Sequence, residues 1–390
     1  MAAGIVVALA AVLATLRPQS DWGGSSLVMV RDTGAVYVRV GDLVHPVLNL
    51  TSAQLITGTA QTPRLVTGSA VSGGRRGPLL GIAGAPSAVD TPPAESQLRW
   101  TVCDHEQTTV LIGAAQPGLH PLDTAHAALV AGASGRTYLL YDGQRARVDL
   151  TDNGVVAALG AENVRPAAVS AALLEMVPEV APISTPHIAG AGAPGPRALP
   201  GFVVGDVFEV RAATDVRYYV VLDGGVQRIG RVAADVLRHH GRGSSVTALA
   251  PAAVKSLPEL GTLPVQSFPE QLGGLNGDTQ AVCVSWQAGS VALMTGSVPQ
   301  ETTGLAGADG AGPHTDAVGL PPGRSVYLAD GTGDGAGWLV TELGLRFRVD
   351  PEAARVLALG DPTVVPRAVL QTLPPGPVLS RSAALTPVAP

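Results

Sequence analysis

Four stretches of this chain repeat one pattern, and that repetition limits the fold more than any single motif. They are YVRVGDLVHPV from Tyr37, YLLYDGQRARV from Tyr138, YYVVLDGGVQRI from Tyr218 and WLVTELGLRFRV from Trp338. Each reads as an aromatic-led apolar strand, a turn at Gly41, Gly143, Gly224 or Gly344, and a second, alternating strand. Asp142-Gly143 and Asp223-Gly224 are hairpin signals, because a type I′ turn needs positive φ, which Gly and Asp tolerate. The pattern predicts a β-rich chain of short hairpins.

A short helix is expected after these hairpins. After the first, Thr51 is placed to cap the backbone, Gln54 to reach back to it, and Gly58 to supply the left-handed stop. After the fourth, Asp350 caps, Pro351 sits where a missing N–H costs nothing, and Gly360 ends the helix. The second ends at Leu159-Gly160, and the third runs from Arg231 to Leu237. Further on, VRPAAVSAALLEMVPE from Val164, LAPAAVKSLPE from Leu249 and VPRAVLQTLPP from Val365 share a Pro-x-Ala-Val step. Pro166, Pro251 and Pro366 are each expected to open an amphipathic turn, closed by Pro178, Pro258 or Pro374. In the first copy only TPRLV from Thr62 remains.

The turn glycines are spaced by 102, 81 and 120 residues, which excludes a simple solenoid. A longer period accounts for the irregularity. LVMVRDTGAVYVRVGD around Arg31 resembles VFEVRAATDVRYYVVLDG around Arg211, and 211 − 31 = 180. The two cysteines repeat the offset, since 283 − 103 = 180. Around them, RWTVCDHEQTTVLIGA and AVCVSWQAGSVALMTG both read as a Cys-bearing strand with a nearby Trp, a turn, and a second apolar strand. The chain therefore reads as two equivalent halves, each ordered repeat, cysteine hairpin, repeat, joined by the Pro/Gly/Ala-rich linker Pro182–Gly201. If the cysteine hairpins build one β-core, matching positions meet near a pseudo-twofold axis. Cys103 then lies beside Cys283, with a Cα separation under about 7 Å; two separate buried thiols are the alternative.

Composition agrees with many short elements. The 390 residues include 48 Gly and 32 Pro, with 14% charged and 4% aromatic residues, and 46% hydrophobic residues suffice for a large core. Net charge is −6, Lys255 is the only lysine, and no basic run occurs, so no nucleic-acid footprint is present. Met1–Leu16 is uninterrupted apolar sequence, read as a transmembrane helix that begins before Met1, with a signal peptide or a buried helix as the alternatives. The first two readings place the rest of the chain outside the cytoplasm, where a disulfide is permitted.

Familiar catalytic signatures are absent. The residue before Lys255 is Val254, so no P-loop exists. GAGAPG supplies Gly190, Gly192 and Gly195 in the G-x-G-x-x-G pattern, yet no strand precedes it and Pro194 and Pro196 deny it a helix N-terminus. ADGTGDGAG, with Asp330 and Asp334, reads as a loop or, less simply, a Ca²⁺ site. No G-x-S-x-G elbow occurs. His120 and His126 around Asp123, and the doublet His239-His240, read as surface histidines, and Asn49 of the sequon Asn49-Leu50-Thr51 as a helix-flanking residue. No catalytic residue, cofactor or metal ligand is assigned.

Several motifs together resemble the EccB family, the membrane-anchored subunit of the type VII (ESX) secretion systems of actinobacteria. They are VLNLTSAQLITG after the first hairpin, RRGPLLGIAGAP from Arg75, LRWTVCD at Cys103, AVCVSW at Cys283, LVTELGLRFRV and LPPGPVLS. The resemblance runs to about Leu379. It implies an α+β, β-rich fold in which a central disulfide-tied β-domain is surrounded by four hairpin and helix repeats and preceded by one transmembrane helix. It implies a single-pass protein of the cell membrane with its bulk in the periplasm, assembled with EccC, EccD, EccE and the MycP protease in protein export, with self-association and cell-wall contact. The family carries a cytoplasmic segment before the helix, so residues 1–17 are read as a transmembrane helix truncated at its start.

The remaining boundaries are repeat 1 at 26–78, the central domain's first half at 79–135, repeat 2 at 136–181, the linker at 182–201, repeat 3 at 202–262, the central domain's second half at 263–330, repeat 4 at 331–380 and a tail at 381–390. Members are often labelled ATPases, which would imply ATP and Mg²⁺ as cofactors, and a peptidoglycan-binding module is a further alternative. A structural and assembly role is the reading the residues favour.

Overall fold

The computed structural model describes residues 22–87, 89, 98–113, 116–123, 125–212, 215–240, 246–277, 280–310, 314–330 and 337–388. The first sheet holds β1 (Leu27–Val30), β2 (Val36–Val40), β3 (Leu43–Val47), β4 (Arg64–Val66) and β5 (Arg75–Arg76). Next come β6 (Trp100–Asp104), β7 (Thr108–Ile112) and β8 (Leu119–Pro121) of a central sheet. The second sheet contains β9 (His126–Gly132), β10 (Thr137–Tyr141), β11 (Gln144–Val148), β12 (Ala167–Val169) and β13 (Glu179–Ile183). The third contains β14 (Val207–Arg211), β15 (Val216–Leu222), β16 (Gly225–Ile229) and β17 (Thr247–Leu249), after which β18 (Gly274–Asn276) joins the second sheet beside β9. The chain returns to the central sheet as β19 (Ala281–Gln287), β20 (Ser290–Gly296), β21 (Thr303–Gly304) and β22 (Ala317–Gly319). It ends in a fourth sheet, β23 (Ser325–Ala329), β24 (Gly337–Thr341), β25 (Arg346–Val349) and β26 (Thr363–Val364).

The other four sheets share one connectivity. In each, three consecutive strands form an antiparallel meander and a later strand, β4, β12, β17 or β26, lies parallel to the first of them. The turn glycines supply the geometry, with φ of 58° at Gly41, 71° at Gly143, 80° at Gly224 and 72° at Gly344. Two residues past three of these turns, the N–H groups of Arg145, Val226 and Arg346 donate to the carbonyls of Pro178, Pro258 and Pro374. The closing prolines thus bring the chain back along the last strand of the meander.

These glycines differ in what surrounds them. A Cβ at Gly224 would meet nothing within 4 Å, whereas one at Gly143 would lie 2.7 Å from the Val291 carbonyl oxygen. Gly143→Ala is therefore expected to cost about 2–3 kcal/mol against about 1 for Gly224→Ala, read as shifts of the urea midpoint.

A helix follows every hairpin, and the capping differs from expectation at two of them. Helix Leu50–Thr57 is capped by Asn49, whose Oδ1 accepts from Ser52 N at 2.9 Å, while Thr51 is buried inside the first turn. Asn49 Nδ2 also donates to Ile82 O at 3.0 Å, so this side chain is engaged at both ends. Gly58 closes the helix at φ 73°, and Gly160 closes Asn153–Leu159 at φ 65°. Helix Pro351–Val356 begins at Pro351 but ends before Leu357, with Ala358 and Gly360 both at positive φ beyond it. The third helix extends to His240, three residues past the expected Leu237.

The Pro-x-Ala-Val steps also separate. Pro251 and Pro366 open helical turns, but Ala167–Val169 is strand β12, and its helix, Ala171–Glu175, is capped instead by Ser170 Oγ on Leu173 N. Pro166 therefore stands ahead of the strand, out of register with the other two.

The chain divides into two compact units, Met1–Glu95 with Leu320–Pro390, and Ser96–Gly319. The expected linker 182–201 is accordingly no boundary. Gly192 N donates to Val204 O, Val204 N to Ala193 O and Gly195 N to Phe202 O, so this segment folds back on itself, and Leu199 is buried in the third sheet's core. The boundaries at 135/136 and 330/331 also move, because β9 and β23 pair with β10 and β24 as the first strands of their sheets.

In the first unit, Leu27, Val38 and Leu55 share a core with Leu339, Phe347 and Val349 of the fourth sheet. In the second, Leu129, Leu139 and Val155 pack with Val220, Val236 and Leu237. Each fully buried aliphatic side chain contributes about 1.5–3 kcal/mol. Among the described residues no helix is long and apolar enough to cross a membrane, and the run Met1–Leu16 lies outside them.

Candidate functional site

The central sheet runs β21-β22-β7-β6-β19-β20-β8, so the strands from the two cysteine segments meet at its middle. β6 and β19 are antiparallel and Cys103 stands directly opposite Cys283, bonded to it with a Cα separation of 4.0 Å and both residues fully buried. Three positions along, Trp100 faces Trp286. The Thr101 and Ser285 hydroxyls meet at 3.0 Å, and Arg99 places Nε and Nη2 on Gln287 Oε1 at 3.2 and 3.0 Å. The disulfide thus locks a pairing that cross-strand side chains already favour.

Two buried carboxyl groups flank the β6–β7 hairpin. Asp316 accepts from Thr108 N at 2.7 Å, Asp309 N at 2.6 Å and Gly310 N at 2.8 Å, tying the β21–β22 loop to β7. Asp104 accepts from Ser170 N at 2.6 Å through Oδ2, while its Oδ1 has no partner among the described residues. Burial pushes the Asp104 carboxyl above its ordinary value; hydrogen bonds from Ser170 and Thr108 oppose the shift and the Asp316 charge adds to it. The folded state therefore binds this proton more tightly than the unfolded chain does. The resulting stabilisation is complete below the ordinary carboxylate value of about 3.8 and is lost as pH rises through the raised one. Asp104→Asn is expected to flatten that limb of the melting-temperature profile while leaving the acid limb set by other carboxylates.

Beyond the hairpin end lies an open cleft of about 990 Å³, lined by His105, Glu106, Gln107, His120, Gln280 and Gln300 among others, with Asp316 at its wall. Its lining offers amide, imidazole and carboxylate groups. A second cleft of about 550 Å³ is bordered by His187, Gly192, Asp206 and His240. In that segment the Gly192 and Gly195 N–H groups are bonded within their own hairpin, which removes them as donors to a phosphate.

The structure brings Cys103 and Cys283 together and leaves the other singled-out residues apart. Gly41, Gly143, Gly224 and Gly344 stay at their turns, Lys255 is exposed after the helical turn Pro251–Ala253, and His126 Nδ1 lies 3.7 Å from Asp123 Oδ2. Among the described residues no group of three or more metal-type side chains converges. The loop carrying Asp334 lies outside the described residues. Sequence reasoning missed Asp104, Ser170 and Asp316, whose only local signal was the Asp after Cys103 in an otherwise apolar strand.

Sheet topology and the Cys103–Cys283 cystine define a sheet-rich α+β protein with a disulfide-tied sheet. The family model for "Type VII secretion system ESX-1, transport TM domain B" matches residues 1–388, and the chain belongs to this EccB family. It is 32% identical over 428 residues to a Mycobacterium tuberculosis protein named ESX-3 secretion system ATPase EccB3, across 96% of this chain and 79% of the relative. It is 31% identical over 439 residues to the same organism's ESX-5 secretion system ATPase EccB5, across 99% and 85%. Among solved structures it superposes on a chain of an intact ESX-5 inner membrane complex with TM-score 0.78 and 28% identity, covering all of this chain and 87% of the other. A structure of an EccB3 dimer from an ESX-3 core complex matches with TM-score 0.75 and 31% identity, covering 93% and 100%.

Proposed function

We propose that this chain is a structural and assembly subunit of an ESX type VII secretion membrane complex. One observation carries the reading: the whole chain superposes, at TM-score 0.78, on a subunit of an intact ESX-5 inner membrane complex. The fold supports it physically, since among the described residues β4, β17 and β26 end their sheets with one unpaired edge each. The shared connectivity of four sheets and the Cys103–Cys283 pair support descent by duplication of one unit, with four repeats in the chain.

On this reading Met1–Leu16 belongs to a single-pass anchor, the described residues stand on the periplasmic side, and the partners are further copies of itself together with EccC, EccD, EccE and MycP-type components. Affinity purification of the full chain from its own membranes tests the proposal: these components co-purify if it is right, and recovery of the chain without them would refute it.

The names of the relatives favour a second reading, nucleotide hydrolysis. It predicts that millimolar Mg-ATP raises the melting temperature of the purified chain. No shift is expected here, since the sequence has no P-loop.

A further inference from the structure

The first sheet gathers arginines that the sequence scatters. On β2, Val36 and Val38 enter the core shared with the fourth sheet, so Tyr37 and Arg39 face the other way. Arg39 stands opposite Val44 and Val44 opposite Arg76; Tyr37 stands opposite Val28 and Val28 opposite Arg64. Opposed residues share a face, which puts Arg39, Arg64 and Arg76 on the same outer surface. Val28 and Val44 form a small apolar floor there with Trp22.

Two of the guanidinium groups lie on aromatic rings, Arg39 at 4.6 Å from the Trp22 centroid and Arg76 at 5.8 Å from Tyr37. Both arginines are exposed, and among the described residues neither makes an ion pair. Asp21, just ahead of Trp22, and Asp32 and Asp42, in the turns flanking β2, are the nearby acids along the chain. A guanidinium held on a ring keeps its planar donors outward, in the geometry that meets a phosphate.

The chain says what such a face would meet. Trp22 follows Leu16, the last residue of the apolar run, by six residues, which extended span about 20 Å. With that run in a bilayer, a tether of this length keeps the face at high effective concentration beside the headgroups, and attraction acts once the charges approach within a Debye length of about 8–10 Å. We propose that the Arg39, Arg64 and Arg76 face of the first sheet docks on anionic phospholipid headgroups. The proposal rests on the reading of Met1–Leu16 as a membrane anchor.

The test uses the full chain in nanodiscs of phosphatidylcholine alone or mixed with phosphatidylglycerol, with phenylglyoxal modification followed residue by residue by mass spectrometry. In the anionic discs the rate at Arg39 and Arg76 is expected to fall about fivefold, while exposed Arg197 serves as an unchanged reference. The protection should vanish in about 0.5 M NaCl. Arg39→Gln with Arg76→Gln, checked by its melting temperature, should remove the lipid-dependent protection of Arg64. Equal rates in the two lipids with the protein inserted, or protection indifferent to salt, overturn the docking proposal alone. A chain that does not enter discs overturns the anchor reading and the proposal with it.

Discussion

Replacing Cys103 by serine lowers the stability of the second unit by about 5 kcal/mol, the chain-entropy contribution of closing a loop with a sequence separation of 180. The Cys283→Ser variant should match it, and the double variant should add little, because either change opens the same loop. Denaturant unfolding of the oxidised and reduced protein reads this directly. The buried position of both cysteines adds a kinetic expectation: in the folded protein, reduction is slow and follows unfolding of the central sheet. Full stability in the serine variants would show that the β6–β19 pairing holds without the bond.

The second large effect is expected at Asp316. Its two carboxylate oxygens hold three backbone N–H groups, from Thr108, Asp309 and Gly310, in a site where the side chain is 3% exposed. Asp316→Ala leaves these donors without their acceptor and should cost about 3–5 kcal/mol. Asp316→Asn keeps one acceptor oxygen and should cost roughly half as much. Hydrogen exchange would place the damage: protection should fall first at Thr108, Asp309 and Gly310, of which Gly310 lines the larger cleft together with Asp316 itself. A uniform loss across both units would argue against this local account.

The parts of the fold legible in sequence are those written in local chemistry. Asp142-Gly143 announces a turn because only a few residues accept its backbone, and Asp142 itself adopts φ 47°. The cysteine offset of 180 was informative because it matched the offset of the strands around Arg31 and Arg211. Where two local signals compete, letters mislead. Thr51 and Gln54 fit a capping box, but Asn49, two residues earlier, is the residue that caps and it also reaches Ile82, and that second bond comes only from the fold.

Tertiary pairing decides the remaining cases. HAALVAG and SVYLA have no turn signal to divide them from the central segments, yet both become leading strands of their own sheets. The 182–201 stretch is rich in the residues of linkers, but its N–H groups find partners across its own hairpin. The buried carboxyl pair was invisible, because Asp104 and Asp316 are 212 residues apart and acquire their meaning from Ser170 and Thr108. The same holds for Arg39, Arg64 and Arg76, which become one surface only through the register of the first sheet.

The most direct test of the assembly role is the size of the native particle that carries the full chain after gentle detergent extraction from its own membranes. The account predicts that the chain migrates in a large complex containing EccC-, EccD- and EccE-type components, and that Cys103→Ser shifts it toward smaller species. A chain that migrates alone with its disulfide intact would contradict it.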